Sequence, residues 1–191
     1  MKYLFFVSFV LVVTGCAPVA RPFVTSDIAC FKSAVPSFTS TLYDASIDVT
    51  GHYISGLLFV KRMSDQSHRV VFTNEAGLTF FDFEWNVQGD FKPKYVIKKL
   101  NKKIVINALR KDLELLVVPA PFKATTGAPE KGEFARFTTS SCQSIELAEV
   151  IKNKTKLAEA VFLPVGKNVP DSVRISHSNF DMKIVLKRIE R

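Results

Sequence analysis

The sequence has little of what catalytic and metal sites are usually built from. Its three histidines fall in no His-Glu-x-x-His or Cys-x-x-Cys arrangement, so nothing indicates a metal site. A Gly-x-Ser-x-Gly nucleophile motif and a glycine-rich phosphate loop are also missing. Beyond residue 15, no apolar run approaches the roughly 18 residues that a membrane-spanning helix needs. We therefore expect no enzyme activity, no metal, no cofactor and no membrane-spanning helix.

What the sequence does contain is the composition of one folded domain. It has 191 residues, of which 47% are hydrophobic and 23% charged, enough for a single core without metal or disulfide staples. Seventeen phenylalanines stand against one tryptophan and four tyrosines, and they need a core or an apolar cavity. The net charge of +8 favours anionic partners.

The N-terminus has the pattern of an export signal. Lys2 precedes an apolar stretch over residues 3–13, which as a helix would be about 16 Å long, half the thickness of a bilayer core. The segment that ends this stretch resembles a bacterial lipobox: Val13, Thr14, Gly15 and Cys16. We predict a lipoprotein signal peptide over residues 1–15, lipidation of Cys16, and attachment to the outer membrane with the protein facing the periplasm. In that compartment nucleic acid is not an expected partner.

Two cysteines remain, Cys30 and Cys142. An oxidising compartment permits a disulfide between them, but two distant cysteines do not establish a pairing, and separate thiols are the favoured alternative. The sequence leaves both alternatives open.

Three prolines and weak periodicity over residues 17–37 favour a tether, so we assign residues 16–37 to the lipidated cysteine and tether, and 38–191 to one domain. From residue 38 the hydrophobic period is two, which indicates half-buried strands. The predicted strands cover residues 43–49, 53–61, 68–74, 78–85, 94–97, 133–139, 144–151, 155–163, 172–177 and 181–190. The 144–163 stretch would also suit a helix. Residues 119–132 are expected to form a loop.

One segment has helical spacing instead. Val105, Leu109, Leu113 and Leu116 recur at intervals of three and four residues, which predicts an amphipathic helix over 101–118. Asn101 is the expected N-cap and Pro119 the stop. One helix cannot cover so many strands, so we expect a mainly β (α+β) fold. In it, a curved antiparallel sheet forms an unclosed β-barrel with this helix packed on or in it.

Aromatic residues supply the first group of candidate site residues. On the 78–85 strand, Phe81, Phe83 and Trp85 share one face, while Asp82 and Glu84 share the other. These aromatics form either sheet core or the lining of a pocket for acyl chains. The acyl-cavity candidates are Phe59, Phe72, Phe81, Phe83, Trp85, Leu109 and Leu113. Asp82 and Glu84 could act as a carboxylate pair on a sugar, but such pairs are common on solvent faces of strands.

Basic residues supply the second group. They form either a solvated helix face or a contact surface for lipid phosphates, where each cation contributes about 1 kcal/mol. The head-group contact candidates are Lys98, Lys99, Lys102, Lys103, Arg110 and Lys111.

The order of lipobox, proline-containing tether, four strands, helix and closing strands resembles the LolA/LolB lipoprotein-localisation superfamily. Residues 55–61 (SGLLFVK), 69–72 (RVVF) and 78–84 (LTFFDFE) look like uncharacterised lipoproteins of Bacteroidetes-type bacteria. Residues 170–177 and 183–186 suit the paired terminal strands. The resemblance implies an unclosed barrel whose apolar cavity receives lipoprotein acyl chains. LolB-like receptors also carry a protruding loop with an exposed apolar residue, for which the early loop here offers only Met63.

Together these features predict a monomeric lipoprotein that binds lipid or lipoprotein acyl chains, with lipoprotein localisation as its cellular role. The alternative is a structural or interaction lipoprotein of the envelope with a filled barrel and no ligand.

Overall fold

Strict alternation of apolar and polar side chains builds the strands. In the computed structural model, the structure describes residues 22–24, 28–49, 51–117, 123–125, 132–139, 142–163, 169–178 and 180–190. Strand β2 shows the pattern, since Thr41, Tyr43, Ala45, Ile47 and Val49 are buried while the residues between them are not. Such period-two burial places every second side chain on one inner face of the sheet.

The described elements are twelve strands and two helices. The strands are β1 (Pro22–Val24), β2 (Ser40–Val49), β3 (His52–Arg62), β4 (His68–Thr73), β5 (Thr79–Trp85), β6 (Phe91–Val96), β7 (Lys123–Thr125), β8 (Glu133–Thr138), β9 (Leu147–Lys152), β10 (Thr155–Leu163), β11 (Ser172–His177) and β12 (Met182–Arg188). The helices are α1 (Ile28–Ala34) and α2 (Lys103–Val117). Neither is long and apolar enough to cross a lipid bilayer.

All twelve strands belong to one sheet in the order β6-β5-β4-β3-β2-β12-β11-β10-β9-β8-β1-β7. The run from β6 to β8 is antiparallel throughout, whereas β1 pairs in parallel with both β8 and β7. Among the described residues, β6 and β7 are the two edges, so the sheet is not closed. The predicted mainly β fold with an open antiparallel sheet is confirmed.

Helix α2 lies inside the curve of this sheet. The four residues with helical spacing, Val105, Leu109, Leu113 and Leu116, are all buried as predicted. In addition, every residue from position 112 to 117 is buried, so the second half of the helix is enclosed on all sides. Helix α2 contacts β5 through Trp85 and Glu114, and it also contacts β9, β10 and β11. Because β5 and β11 are separated by four strands in the sheet, these contacts show that the sheet curls around α2.

The start of α2 differs from the prediction. The helix begins at Lys103, and the Lys102 carbonyl accepts a hydrogen bond from the Ile106 N–H at 3.0 Å. The residue whose carbonyl accepts the first helical bond is the N-cap, which is therefore Lys102 and not Asn101. The predicted stop, Pro119, lies outside the described residues.

Part of the predicted tether is folded. Residues 22–24 form β1 at the far side of the sheet, and residues 28–34 form α1, whose Phe31 and Ala34 are buried. The structure therefore corrects the assignment of residues 16–37 to a tether and the start of the domain at residue 38. The predicted signal peptide and Cys16 lie outside the described residues.

The open question about the two cysteines is answered by a disulfide between Cys30 and Cys142, which are 112 positions apart. It fastens α1 to the connection between β8 and β9. Phe31 adds a ring contact to Phe137 on β8, with centroids 4.9 Å apart.

The remaining differences are small. Strand β6 begins at residue 91 and not 94, and β9 begins at 147 and not 144. The ambiguous stretch consists of β9 and β10, joined through Asn153 and Lys154 at positive φ, as a two-residue hairpin turn requires. The predicted loop over 119–132 contains β7.

Candidate functional site

The aromatic residues of β4 and β5 form a cluster beside α2. Phe72, Phe81, Phe83 and Trp85 are completely buried, and the ring centroids of Phe81 and Phe83 are 4.6 Å apart. Phe83 meets Trp85 edge to face at 6.2 Å. Leu109 and Leu113 of α2 belong to the same core. The structure thus places six of the seven acyl-cavity candidates in one hydrophobic core.

Phe59 is the exception. Its neighbours Leu58 and Val60 are buried on the inner face, so alternation turns Phe59 to the outer face, where it pairs with Leu42 and Val71. There it lines a surface cavity of about 460 Å³ together with Ser40, Thr41, Leu42, Arg188, Ile189 and Glu190. The assignment of Phe59 to the interior is therefore wrong.

Two carboxylates lie in the enclosed half of α2. Asp112 is completely buried, and its Oδ1 is 2.8 Å from Nδ1 of His177 on β11. Glu114 accepts hydrogen bonds from the Trp85 indole N–H at 3.1 Å and from Nε of Arg110 at 2.7 Å. A buried carboxylate is costly unless it has such partners. These contacts hold α2 to β5 on one side and β11 on the other.

The two carboxylates were not among the predicted site residues. Their sequence signal is the segment 112–116, Asp-Leu-Glu-Leu-Leu, in which acidic residues alternate with apolar residues inside a helix. Alternation suits a strand, so in a helix it places at least one acidic side chain away from the solvent-facing stripe.

A group of half-buried apolar side chains marks where the core reaches the surface. They come from the start of β5, from β6, and from the turn and first helical turn that follow, and they are only partly buried against the core. We call this group the rim: Phe80, Phe91, Val96, Leu100 and Ile106. Its position coincides with the free edge of the sheet, because β6 has a single neighbour, β5.

Lysines adjoin the rim. Three of the six head-group candidates lie in the turn between β6 and α2, and a fourth is the first residue of α2. All four are exposed. We call them the lysine turn: Lys98, Lys99, Lys102 and Lys103. Within the described part of the chain, none of them forms an ion pair.

The other two candidates have internal partners. Arg110 bonds Glu114 and lies over the Phe91 ring at 5.2 Å, and Lys111 donates to Glu133 at 2.7 Å. Because these two cations are half-buried and already paired, the exposed members of the predicted head-group contacts are the four residues of the lysine turn.

The carboxylates of β5 are also paired. Asp82 binds Arg69 of β4 through both oxygens, and Glu84 binds Lys94 at 3.2 Å. Both lie on the face opposite Phe81 and Phe83, as predicted. These cross-strand pairs account for the two side chains as stabilising contacts of the outer face.

The three histidines are far apart. His52 is exposed, His68 is half-buried and His177 is bonded to Asp112. Burial lowers the pKa of His68, with a smaller contribution from the nearby Arg62. No group of three potential metal ligands occurs among the described residues.

No family model and no curated protein matches the chain. Among solved structures, it is similar to a LolA superfamily protein from Nitrosomonas europaea, with 8% identity, a TM-score of 0.44, and coverage of 85% of this chain and 89% of that one. It is also similar to a DUF1329 family protein from Desulfovibrio piger, with 11% identity, a TM-score of 0.38, and coverage of 81% and 85%.

A third similar structure is an outer membrane lipoprotein-sorting protein domain from Vibrio parahaemolyticus, with 7% identity, a TM-score of 0.38, and coverage of 83% and 87%. The likeness to lipoproteins of Bacteroidetes-type bacteria stays a prediction.

Proposed function

We propose that the protein is an outer-membrane lipoprotein, facing the periplasm, that binds acyl chains of lipids or lipoproteins and carries out no reaction. The observation that supports this most is the rim beside the lysine turn. The partly buried apolar surface could bind the acyl chain of an amphiphile. The exposed cations beside it could bind the anionic head group. The cellular role we propose is lipoprotein localisation.

The rim is the place for the acyl chain. Because the second half of α2 fills the curl of the sheet, the chain is expected between β6 and the first half of α2, where Phe91 and Ile106 are only partly covered. Each methylene transferred from water to this surface contributes about 0.8 kcal/mol. The lysine turn then lies where an anionic head group would emerge.

The Cys30–Cys142 disulfide supports an oxidising compartment such as the periplasm. The proposed anchor on Cys16 would hold the domain at a membrane, since stable attachment needs two or more acyl chains.

Replacing Cys16 by alanine should release the protein from membranes, because the thiol is the only group there that can carry a lipid. We expect the variant in the soluble fraction after cell fractionation, with its unfolding transition unchanged. Alanine at Ser33, an exposed residue of α1 that takes no part in the disulfide, is the control and should leave the protein membrane-bound. Retention of the Cys16 variant at wild-type levels would contradict lipidation.

Acyl binding can be tested with a fluorescent fatty acid and by mass spectrometry of lipids that copurify. Glutamate at Ile106 should weaken probe binding at least tenfold, since a charge at the rim opposes an apolar ligand. The control is glutamate at Ile54, another partly buried residue packed against the core, but on β3. Chemical unfolding of both variants separates loss of binding from loss of structure.

A structural or interaction lipoprotein with a filled interior is the alternative. The enclosure of residues 112–117 of α2 favours it, because these side chains occupy the space inside the curl. A stable wild-type protein that binds no probe and carries no lipid would establish this alternative and exclude acyl binding.

A further inference from the structure

We propose that the lysine turn and Ile104 together form a docking surface for anionic lipid bilayers. This surface shares its lysines with the proposed function, but it does not require an acyl chain in the interior. The occupant is the phosphate and glycerol region of a bilayer, with Ile104 as the side chain that enters it.

The charge distribution is the first observation. Residues 91–111 contain seven lysines and one arginine and no carboxylate. In the folded protein, Lys94, Arg110 and Lys111 are paired with Glu84, Glu114 and Glu133, whereas Lys92 and the lysine turn are exposed and form no ion pair with a described residue. Four of these five lysines thus lie together in one short turn.

The stability of the helix does not account for these lysines. Lys102 and Lys103 stand at the N-terminus of α2, where a positive charge opposes the helix dipole and destabilises the helix. The first turn of the helix contains no acidic residue to offset them. A cluster that is unfavourable for folding is consistent with selection for binding.

Ile104 distinguishes a bilayer from other polyanions. Its side chain is 63% exposed and follows the lysines directly, in the first helical turn. An exposed aliphatic side chain flanked by lysines is typical of interfacial segments, where the apolar group enters the acyl boundary and the cations remain among the phosphates. A phosphate polymer such as nucleic acid offers Ile104 no apolar surface.

The test measures sedimentation of the full chain with vesicles of equal parts phosphatidylglycerol and phosphatidylcholine, and with pure phosphatidylcholine. Glutamine at all four positions of the lysine turn should weaken binding to the anionic vesicles by at least a hundredfold, at about fivefold per lysine. Ile104→Ser should weaken it about tenfold. Raising the salt concentration should weaken wild-type binding, because exposed charges are screened.

The charge-matched control carries glutamine at four exposed lysines elsewhere on the sheet: Lys61, Lys152, Lys183 and Lys187. Leu163→Ser on β10, where the leucine is 40% exposed, is the control for Ile104. Any contribution of the N-terminal segment is the same in all variants. Equal losses in the control and the lysine-turn variants would overturn the proposal, because general charge would then explain binding.

Three further outcomes are decisive. If the lysine-turn variant loses vesicle binding but still binds the fatty-acid probe, docking is supported independently of the proposed function. If it loses the probe while vesicle binding is unchanged, the lysines serve a bound ligand and the docking surface is refuted. Stronger binding to a DNA duplex than to anionic vesicles would also refute it.

Discussion

Replacing Cys30 and Cys142 together by serine should lower the free energy of unfolding by about 4–5 kcal/mol, the chain-entropy value for a loop of about 100 residues. The disulfide closes a segment of 112 positions that includes β2 to β8. Without it, the unfolded chain gains the freedom that the crosslink removes. For a chain of this length, the loss corresponds to a fall in melting temperature of roughly 10–20 °C.

The folded state should change little in this variant. Helix α1 keeps the ring contact of Phe31 with Phe137 and a hydrogen bond from the Ile145 N–H to the Ala34 carbonyl at 3.2 Å. The near-ultraviolet circular dichroism spectrum should therefore stay native at low temperature. Thermal and denaturant unfolding, with and without reductant, measure the effect.

Serine at Cys16 is the matched control, because this cysteine is not part of the disulfide. It should leave the unfolding free energy unchanged. A wild-type protein whose stability is insensitive to reductant would contradict the prediction, since the crosslink would then contribute nothing measurable.

The strands and α2 could be predicted because their burial patterns are local. In β2 and β5, every second residue is apolar, and the period alone identifies both the strand and its inner face. In α2, the spacing of Val105, Leu109 and Leu113 does the same for a helix. The curved, open sheet could then be predicted because one helix cannot cover so many strands.

Helix α1 could not be predicted, because its position depends on distant parts of the chain. It has seven residues, too few for a clear period, and it lies between Pro22 and Pro36. The helix is held against the domain by the disulfide to Cys142 and by the contact of Phe31 with Phe137, both more than a hundred positions away in the sequence. The prolines and weak periodicity of this segment therefore predicted a tether, whereas the structure shows a helix packed against the domain.

Phe59 shows the same limit within a strand. It lies in the run Leu57-Leu58-Phe59-Val60, where all residues are apolar and either register would bury two of them. The face is decided by pairing, which sets Phe59 opposite Leu42 and Val71 on the outer side. A one-residue change of register would have exchanged the two faces.

The buried carboxylates of α2 were missed for a related reason. Charged residues in an amphipathic helix are expected on its solvent face, and only the fold reveals that Asp112 has a partner 65 positions away in His177. The candidate site was thus predictable where it consists of apolar stripes and charge clusters. It was not predictable where it depends on polar pairs between distant elements.

That pair is the basis of the second large effect. Replacing His177 by alanine should lower the free energy of unfolding by about 3–5 kcal/mol, the range for breaking a buried polar pair by removing one partner. Asp112 is completely buried and bonds the His177 ring at 2.8 Å, so the variant leaves a buried carboxylate without this partner. Alanine at His52, which is exposed, is the matched control and should change stability by no more than about 0.5 kcal/mol.

The coupling between the two side chains can be measured by urea unfolding of the wild type, Asp112→Ala, His177→Ala and the double variant. For residues in contact, the coupling energy from this double-mutant cycle should be about 1–3 kcal/mol. Purely additive losses would show that the two side chains do not stabilise each other and would contradict the prediction.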